Sequence, residues 1–156
     1  MRVLIAVGGD EGIAYFRRVA ELAPLVQAEV LLVHVIDERR RDGLAIGRHR
    51  PGGTLPLPPQ RSADIESAEQ ERAHQVLTGA RQALVAAGIP EGTMRDVVRR
   101  GRPNEVIRDL AVELAAELIV VGARHNERPG PHSLGKTARF LVDHAPVAAL
   151  LVRPIG

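Results

Sequence analysis

The sequence contains no cysteine and no tryptophan, and aromatic residues make up only 2% of its 156 residues. The absence of cysteine excludes disulfide frameworks, cysteine-based zinc sites and thiol catalysis. The shortage of aromatic rings argues against a surface that stacks on single-stranded nucleic acid. Because the formal net charge is only +2, the chain also lacks the strongly basic balance typical of such proteins, and we do not expect nucleic acid as a partner.

Long apolar runs are missing as well, since no stretch approaches the ~20 residues that a membrane-spanning helix needs. The apolar start at residues 2–7 runs directly into a glycine turn and is too short for a secretory signal. We therefore expect a cytoplasmic protein with no membrane partner. A chain of 156 residues is long enough for one domain with its own core, and we expect that domain to span residues 1–156.

Apolar runs and helical periodicities alternate along the chain. Patterns typical of buried strands occupy residues 2–7, 29–35, 93–99, 117–121 and 147–152. Helical patterns lie between them and begin after Asp10, which is a candidate N-cap, and at Asp64, Pro103 and Leu134. This order predicts an α/β fold: a doubly wound, five-stranded parallel sheet with helices on both faces, similar to a Rossmann fold.

Two strands and one connection carry further information. The third strand is the most polar and is expected at one edge of the sheet, while the apolar fifth strand, from Val147 to Val152, reads as the other edge. Residues 36–63, rich in Arg, Gly and Pro, have no apolar period. This composition predicts a long flexible surface loop.

A candidate ligand site follows from this topology, because such sheets bind ligands at the carboxyl ends of their strands. Gly8, Gly9, Val35, Val121 and Gly122 lie at those ends. Gly135, Lys136 and Thr137 open the last helix, where unpaired N–H groups and the helix dipole favour an anion. Lys136 is the only lysine in the chain, so the pattern points to a phosphate-bearing ligand. The alternative, that Gly135 merely eases the turn and Lys136 is solvated, stays open.

Residues 130–137 also match the P-loop pattern Gly-x4-Gly-Lys-[Ser/Thr]. A P-loop follows its strand immediately, whereas eight residues separate Val121 from Gly130, and Pro131 removes one amide donor. A P-loop ATPase is therefore the less favoured interpretation. His125 and His132 share the loop, but no cysteine or cluster of carboxylates completes a set of three or four ligands, so we predict no metal site. No arrangement of side chains predicts catalysis.

The order of elements, the Gly-x-Pro turn at Gly101 and the Ala145–Pro146 pair before the last strand together resemble the universal stress protein family over the whole chain. Its nucleotide-binding members carry Gly-x2-Gly-x9-Gly-[Ser/Thr] after the fourth strand. Gly122 and Gly135 fit the first and third glycines, His125 replaces the second, and Lys136 stands in the Ser/Thr position. After the first strand, Gly8, Gly9 and Asp10 stand where ATP-binding members usually have Asp-Gly-Ser.

The resemblance implies a regulatory binding protein rather than an enzyme. Its ligand would be ATP or another adenine nucleotide, with or without Mg²⁺. Val35 would contact the base, Gly122 would allow close approach of the ribose, and residues 135–137 would hold phosphate. The resemblance also implies a homodimer formed through the last strand. The departures at Gly8, His125 and Lys136 leave a second interpretation open, a dimeric interaction module that binds no nucleotide.

Overall fold

The computed structural model describes residues 1–39, 59–123 and 134–153. Its strands are β1 (Arg2–Ala6), β2 (Glu29–Asp37), β3 (Met94–Gly101), β4 (Leu118–Gly122) and β5 (Ala148–Val152). Its helices are α1 (Ile13–Leu22), α2 (Pro59–Ala86), α3 (Pro103–Glu113) and α4 (Lys136–His144). A 3-10 turn, Glu91–Thr93, leads into β3. The predicted alternation of strands and helices is confirmed.

The strands form one sheet in the order β3-β2-β1-β4-β5, and each neighbouring pair is parallel. The chain winds outward from β1 through β2 to β3, then crosses back to β4 and β5. The strand order therefore reverses between β1 and β4, where a crevice forms at the carboxyl ends. The sheet edges are β3 and β5, as the sequence predicts.

Two hydrophobic cores cover the two faces of the sheet. One packs Val3, Ile5 and Leu32 against α1 and α2, and the other packs Leu4 and Ile119 against α3 and α4. Consecutive residues of β1 thus enter opposite cores. This is why the strands read as continuous apolar runs instead of alternating patterns, and the doubly wound α/β fold is confirmed.

The predicted loop at 36–63 is too long at both ends. β2 continues to Asp37 because Ile36 and Asp37 still pair with Arg100 and Gly101 of β3, and Ile36 is buried. α2 begins at Pro59, five residues before the predicted start. Proline is tolerated in the first turn because an N–H at that position would have no acceptor within the helix. Residues 40–58 lie outside the described residues, and flexibility there stays a prediction.

The prediction that Asp10 caps the first helix is wrong. α1 begins at Ile13, and its N-cap is Gly12, which makes no side-chain capping bond. The delay arises because the chain first turns at Gly9, where φ is +106°. Among the described residues, no helix is long and apolar enough to cross a membrane.

Candidate ligand site at the carboxyl end of the sheet

The turn after β1 presents two consecutive backbone donors. The Gly8 N–H donates to Glu11 Oε1 and the Gly9 N–H donates to Glu11 Oε2, each at 2.8 Å. Successive amides that converge in this way form a small anion-binding concavity. In this structure its anion is the protein's own Glu11 carboxylate.

Glu11 also occupies the space beside position 8. A Cβ added to Gly8 would lie 3.3 Å from Glu11 Oε1, so a longer side chain there would compete with the carboxylate. The sequence shows no acid at position 8, but the turn brings one to that position from three residues later. Sequence reasoning missed Glu11 because this contact depends on the turn conformation, and the one available signal was an acid two residues after Gly9.

His34 of the neighbouring strand β2 forms a hydrogen bond that fixes the end of β1. Its Nδ1 lies 2.8 Å from the carbonyl oxygen of Val7, while the Val7 N–H donates to the Val33 carbonyl at 2.8 Å. A carbonyl can only accept, so Nδ1 carries the hydrogen. His34 is buried, so this hydrogen bond is shielded from solvent. Val35, the next residue, is half-buried and points to the opposite face.

The end of β4 is shaped by Tyr15 of α1. A Cβ on Gly122 would lie only 3.1 Å from Tyr15 Cε2, so packing against this ring is sufficient reason for a glycine at position 122. Val121 faces the other core and is buried. The resemblance explains the glycine at position 122 by close approach of a ribose. The structure shows a second reason, because the Tyr15 ring leaves little room for a side chain there.

Tyr15 is buried, and its hydroxyl has no hydrogen-bond partner in the described part of the chain. Burial raises the pKa of Tyr15 well above its ordinary range, and the negative charge of Glu11 raises it further. The hydroxyl therefore remains protonated and is a donor without an acceptor. The sequence did not indicate a role for this residue, because a tyrosine in an amphipathic helix is ordinarily interpreted as a core residue.

The start of α4 combines features that favour an anion. Gly135 is its N-cap with φ +76° and has no side chain that could cap the helix, and no acidic residue lies in the first turn. Lys136 is exposed and Thr137 half-buried. The helix begins two residues later than predicted because the positive φ of Gly135 keeps Leu134 outside it. The amides of the first turn, which have no acceptor within the helix, the helix dipole and an ammonium group thus coincide here.

The topology brings the predicted residues to one side of the molecule. β1 and β4 are adjacent and in register at Ile5 and Val120, so the Gly8 turn and Gly122 end side by side. α4 runs back from the carboxyl end of β4 to the start of β5, which puts its N-terminus at the same edge. Asp10 is exposed in the β1 turn. His125 and residues 130–133 of the P-loop-like match lie outside the described residues.

A cavity of about 370 Å³ opens beside the β1 turn on the face covered by α1 and α2. Gly9, Glu11, Phe16, Gln75 and Val76 are among its lining residues. It lies on the face of the sheet opposite α3 and α4. Within the described ranges, no three acidic or histidine side chains cluster as a metal site would require.

The fold defines a doubly wound α/β protein with a five-stranded parallel sheet, and comparison with known proteins identifies the family. The model of the universal stress protein family matches residues 1–153. The chain belongs to this family.

Individual relatives are distant. Universal stress protein G of Salmonella typhimurium is 29% identical over 92 residues, which cover 59% of this chain and 64% of that protein. Universal stress protein UspA from Lactobacillus plantarum superposes with a TM-score of 0.71 at 22% identity, over 98% of this chain and 97% of that one. A family protein from Arabidopsis thaliana with AMP bound gives a TM-score of 0.63 at 16% identity, over 100% and 93%. At these identities the structures establish the fold.

Proposed function

We propose that the protein binds an adenine nucleotide such as ATP or AMP at the carboxyl edge of the sheet, between β1 and β4, in a stress-response or regulatory role and without turnover. The observation that carries this proposal is the start of α4. Its N-cap is a glycine without a capping side chain, its first turn has no acid, and it bears the exposed Lys136. The AMP bound to the Arabidopsis family member supports the choice of ligand.

The charges at the site suggest how the ligand would be oriented. The Glu11 carboxylate already occupies the amides of Gly8 and Gly9, so a phosphate placed there would find its donors taken and a like charge nearby. The start of α4 has the opposite character. Phosphate would therefore contact Gly135, Lys136 and Thr137.

The remaining parts of the nucleotide would lie across the neighbouring strand ends. The base would contact the backbone at Val35, and the ribose would lie between the β1 turn and Val121–Gly122. His125 would approach the ligand from the connection after β4. If Mg²⁺ accompanies ATP, phosphate oxygens and water would supply most of its ligands, because the described residues contain no cluster that could hold it alone.

A second candidate function is a dimeric regulatory module that binds no nucleotide. The observation that favours it is the same Glu11 contact, because the β1 turn satisfies its own amides without any ligand. Both candidates treat residues 1–156 as one domain.

Both candidates also include a homodimer formed through β5. This strand is an edge, and its first two residues, Ala148 and Ala149, are exposed. An apolar edge with unpaired backbone groups can be extended by the same strand of a second copy.

The decisive experiment is denaturation of protein purified from cells, followed by mass spectrometry of what is released. An adenine nucleotide is the expected result. Added AMP or ATP at 100 times its Kd should stabilise the fold by about 2.7 kcal/mol, and Lys136→Ala should weaken this effect. Arg95→Ala, which removes an exposed cation near the opposite end of the sheet, is the matched control.

Two other outcomes would redirect the assignment. Absence of bound nucleotide, together with a melting temperature that does not respond to ATP or AMP, would leave the regulatory module as the function. Mg²⁺-dependent release of phosphate from ATP that Lys136→Ala abolishes would instead establish an ATPase.

A further inference from the structure

The hydroxyl of Tyr15 is the one described buried side-chain polar atom that lacks a hydrogen-bond partner. Native proteins rarely leave such atoms unpaired, and an exception calls for an acceptor from outside the chain or for ordered water. The ring is fixed between α1 and the end of β4, where it contacts Gly122 and packs edge-on against Phe16 at 5.0 Å. The direction of the hydroxyl is therefore set by packing and not by a polar contact.

The carboxylate of Glu11 has the complementary property. Each of its oxygens accepts one amide bond in the β1 turn, yet an ionised carboxylate offers about four lone-pair directions. Capacity for another donor thus remains, and Glu11 is half-buried instead of fully solvated.

The sheet places these groups at neighbouring strand ends. Glu11 lies at the end of β1, Tyr15 lies against the end of β4, and β1 and β4 are adjacent parallel strands. A buried donor without a described acceptor and a half-buried acceptor with spare capacity therefore lie at the same end of the sheet, at the boundary between β1 and β4. A phosphate cannot satisfy both, because it has no hydrogen to give the carboxylate and is repelled by its charge. A hydroxyl can accept from one group and donate to the other.

We propose that Tyr15 and Glu11 form a hydroxyl-recognition subsite between the ends of β1 and β4. The ligand hydroxyl accepts the hydrogen bond of Tyr15 and donates to the Glu11 carboxylate. This inference rests on the proposed function, in which the hydroxyl belongs to the ribose of the nucleotide. It makes Tyr15 a specificity-determining residue, since a deoxyribose that lacks the recognised hydroxyl leaves the Tyr15 hydroxyl without its acceptor and adds no donor to Glu11.

Tyr15→Phe tests this proposal because it removes the hydroxyl and keeps the ring. Affinities would be measured for AMP, 2′-deoxy-AMP and 3′-deoxy-AMP. The wild type should prefer AMP to one deoxy analogue. In the variant, AMP should bind about three- to tenfold more weakly, as expected for one lost hydrogen bond, while that analogue should bind as before. The melting temperature of the ligand-free variant should not fall, because an unpaired buried group has been removed.

Glu11→Gln tests the other partner, with Glu21→Gln as its control. Glu21 lies on the exposed side of α1, so its substitution removes the same charge without touching the crevice. We expect Glu11→Gln to lower the affinity for AMP and Glu21→Gln to leave it unchanged. If one hydroxyl bridges both side chains, the double variant should lose less affinity than the two single losses combined.

The experiments distinguish failure of the subsite from failure of the proposed function. If wild type and Tyr15→Phe bind AMP equally and show the same preference over both deoxy analogues, the subsite is overturned and the nucleotide site stands. A large drop in the melting temperature of ligand-free Tyr15→Phe would mean that the hydroxyl has a structural partner, which also overturns it. If the wild type binds no nucleotide, the proposed function and the subsite fail together.

Discussion

The ring of Tyr15 lies directly against the backbone of Gly122, so close that a Cβ at position 122 would approach Tyr15 Cε2 to 3.1 Å. This contact joins the first helix to the end of the fourth strand, at the crevice where the strand order reverses. The glycine that most resembles part of a nucleotide motif is therefore also a packing residue, and the two roles can be separated by experiment.

Gly122→Ala should destabilise the ligand-free protein by about 1–3 kcal/mol, because the added methyl overpacks the Tyr15 ring. The matched control is Gly79→Ala on α2, where no atom lies within 4 Å of the added Cβ. The control should be neutral or stabilising by up to about 1 kcal/mol, since alanine favours a helix. Urea denaturation measures both, and equal stability of Gly122→Ala and wild type would contradict the packing role.

Gly9→Ala should destabilise the β1 turn more than Gly12→Ala. At Gly9 φ is +106° and a Cβ would meet Val76 Cγ2 at 3.0 Å, whereas at Gly12 φ is −88° and the added Cβ meets open space. We expect a loss of more than about 1 kcal/mol for Gly9→Ala and a few tenths for Gly12→Ala. Thermal unfolding of the two variants would test this. A larger loss of stability for Gly12→Ala than for Gly9→Ala would contradict the positive φ of Gly9 and its packing against Val76.

Tyr15 should resist ionisation at alkaline pH. Its pKa is raised in the folded state, so the folded protein keeps a proton that the unfolded chain releases near the ordinary value of about 10. The resulting stability is fully present below that pH and is lost as the pH rises above it. Because Tyr15 is the only tyrosine, phenolate absorbance reports it alone. Ionisation near pH 10 in folded protein would contradict its burial, and Tyr15→Phe should abolish this pH dependence.

Ala149→Lys should convert the proposed dimer into a monomer. The substitution puts a charge on the exposed part of the β5 edge, and charged edge strands resist pairing with another strand. Val85→Lys is the control, because Val85 is 42% exposed on α2, which packs against β2 and β3 at the other side of the sheet. Sedimentation analysis would distinguish the species. A dimer that survives Ala149→Lys would place the interface elsewhere.

The secondary structure was largely predictable because its signals are local. The apolar runs ending at Gly8 and Gly122, and the helical spacing along α2, depend on neighbouring residues alone. Errors arose at element ends, where pairing across the sheet decides. β2 extends to Asp37 because β3 continues beside it. Ile13 fits the helical spacing of an inward face but is 69% exposed, while Tyr15 takes the buried position.

The candidate site was predictable only in outline. The glycines indicate a turn, and Gly135 with Lys136 indicates a helix start, because both features depend on residue types at fixed offsets. The Glu11 contact was not predictable, since it depends on the dihedral angles of the β1 turn. The unpaired Tyr15 hydroxyl was not predictable either, because it depends on which strand end the helix packs against.

The sequence by itself determined the order of strands and helices and the positive character of the α4 start, because these follow from composition and short-range spacing. Its similarity to known sequences identified the family. Only the tertiary structure decided that Glu11 fills the space beside Gly8 and that Tyr15, packed against Gly122, has a hydroxyl without a partner among the described residues. Those facts arise where β1 and β4 become neighbours. These strands are more than a hundred residues apart in the chain, and hydrogen bonding and packing across the sheet bring them together.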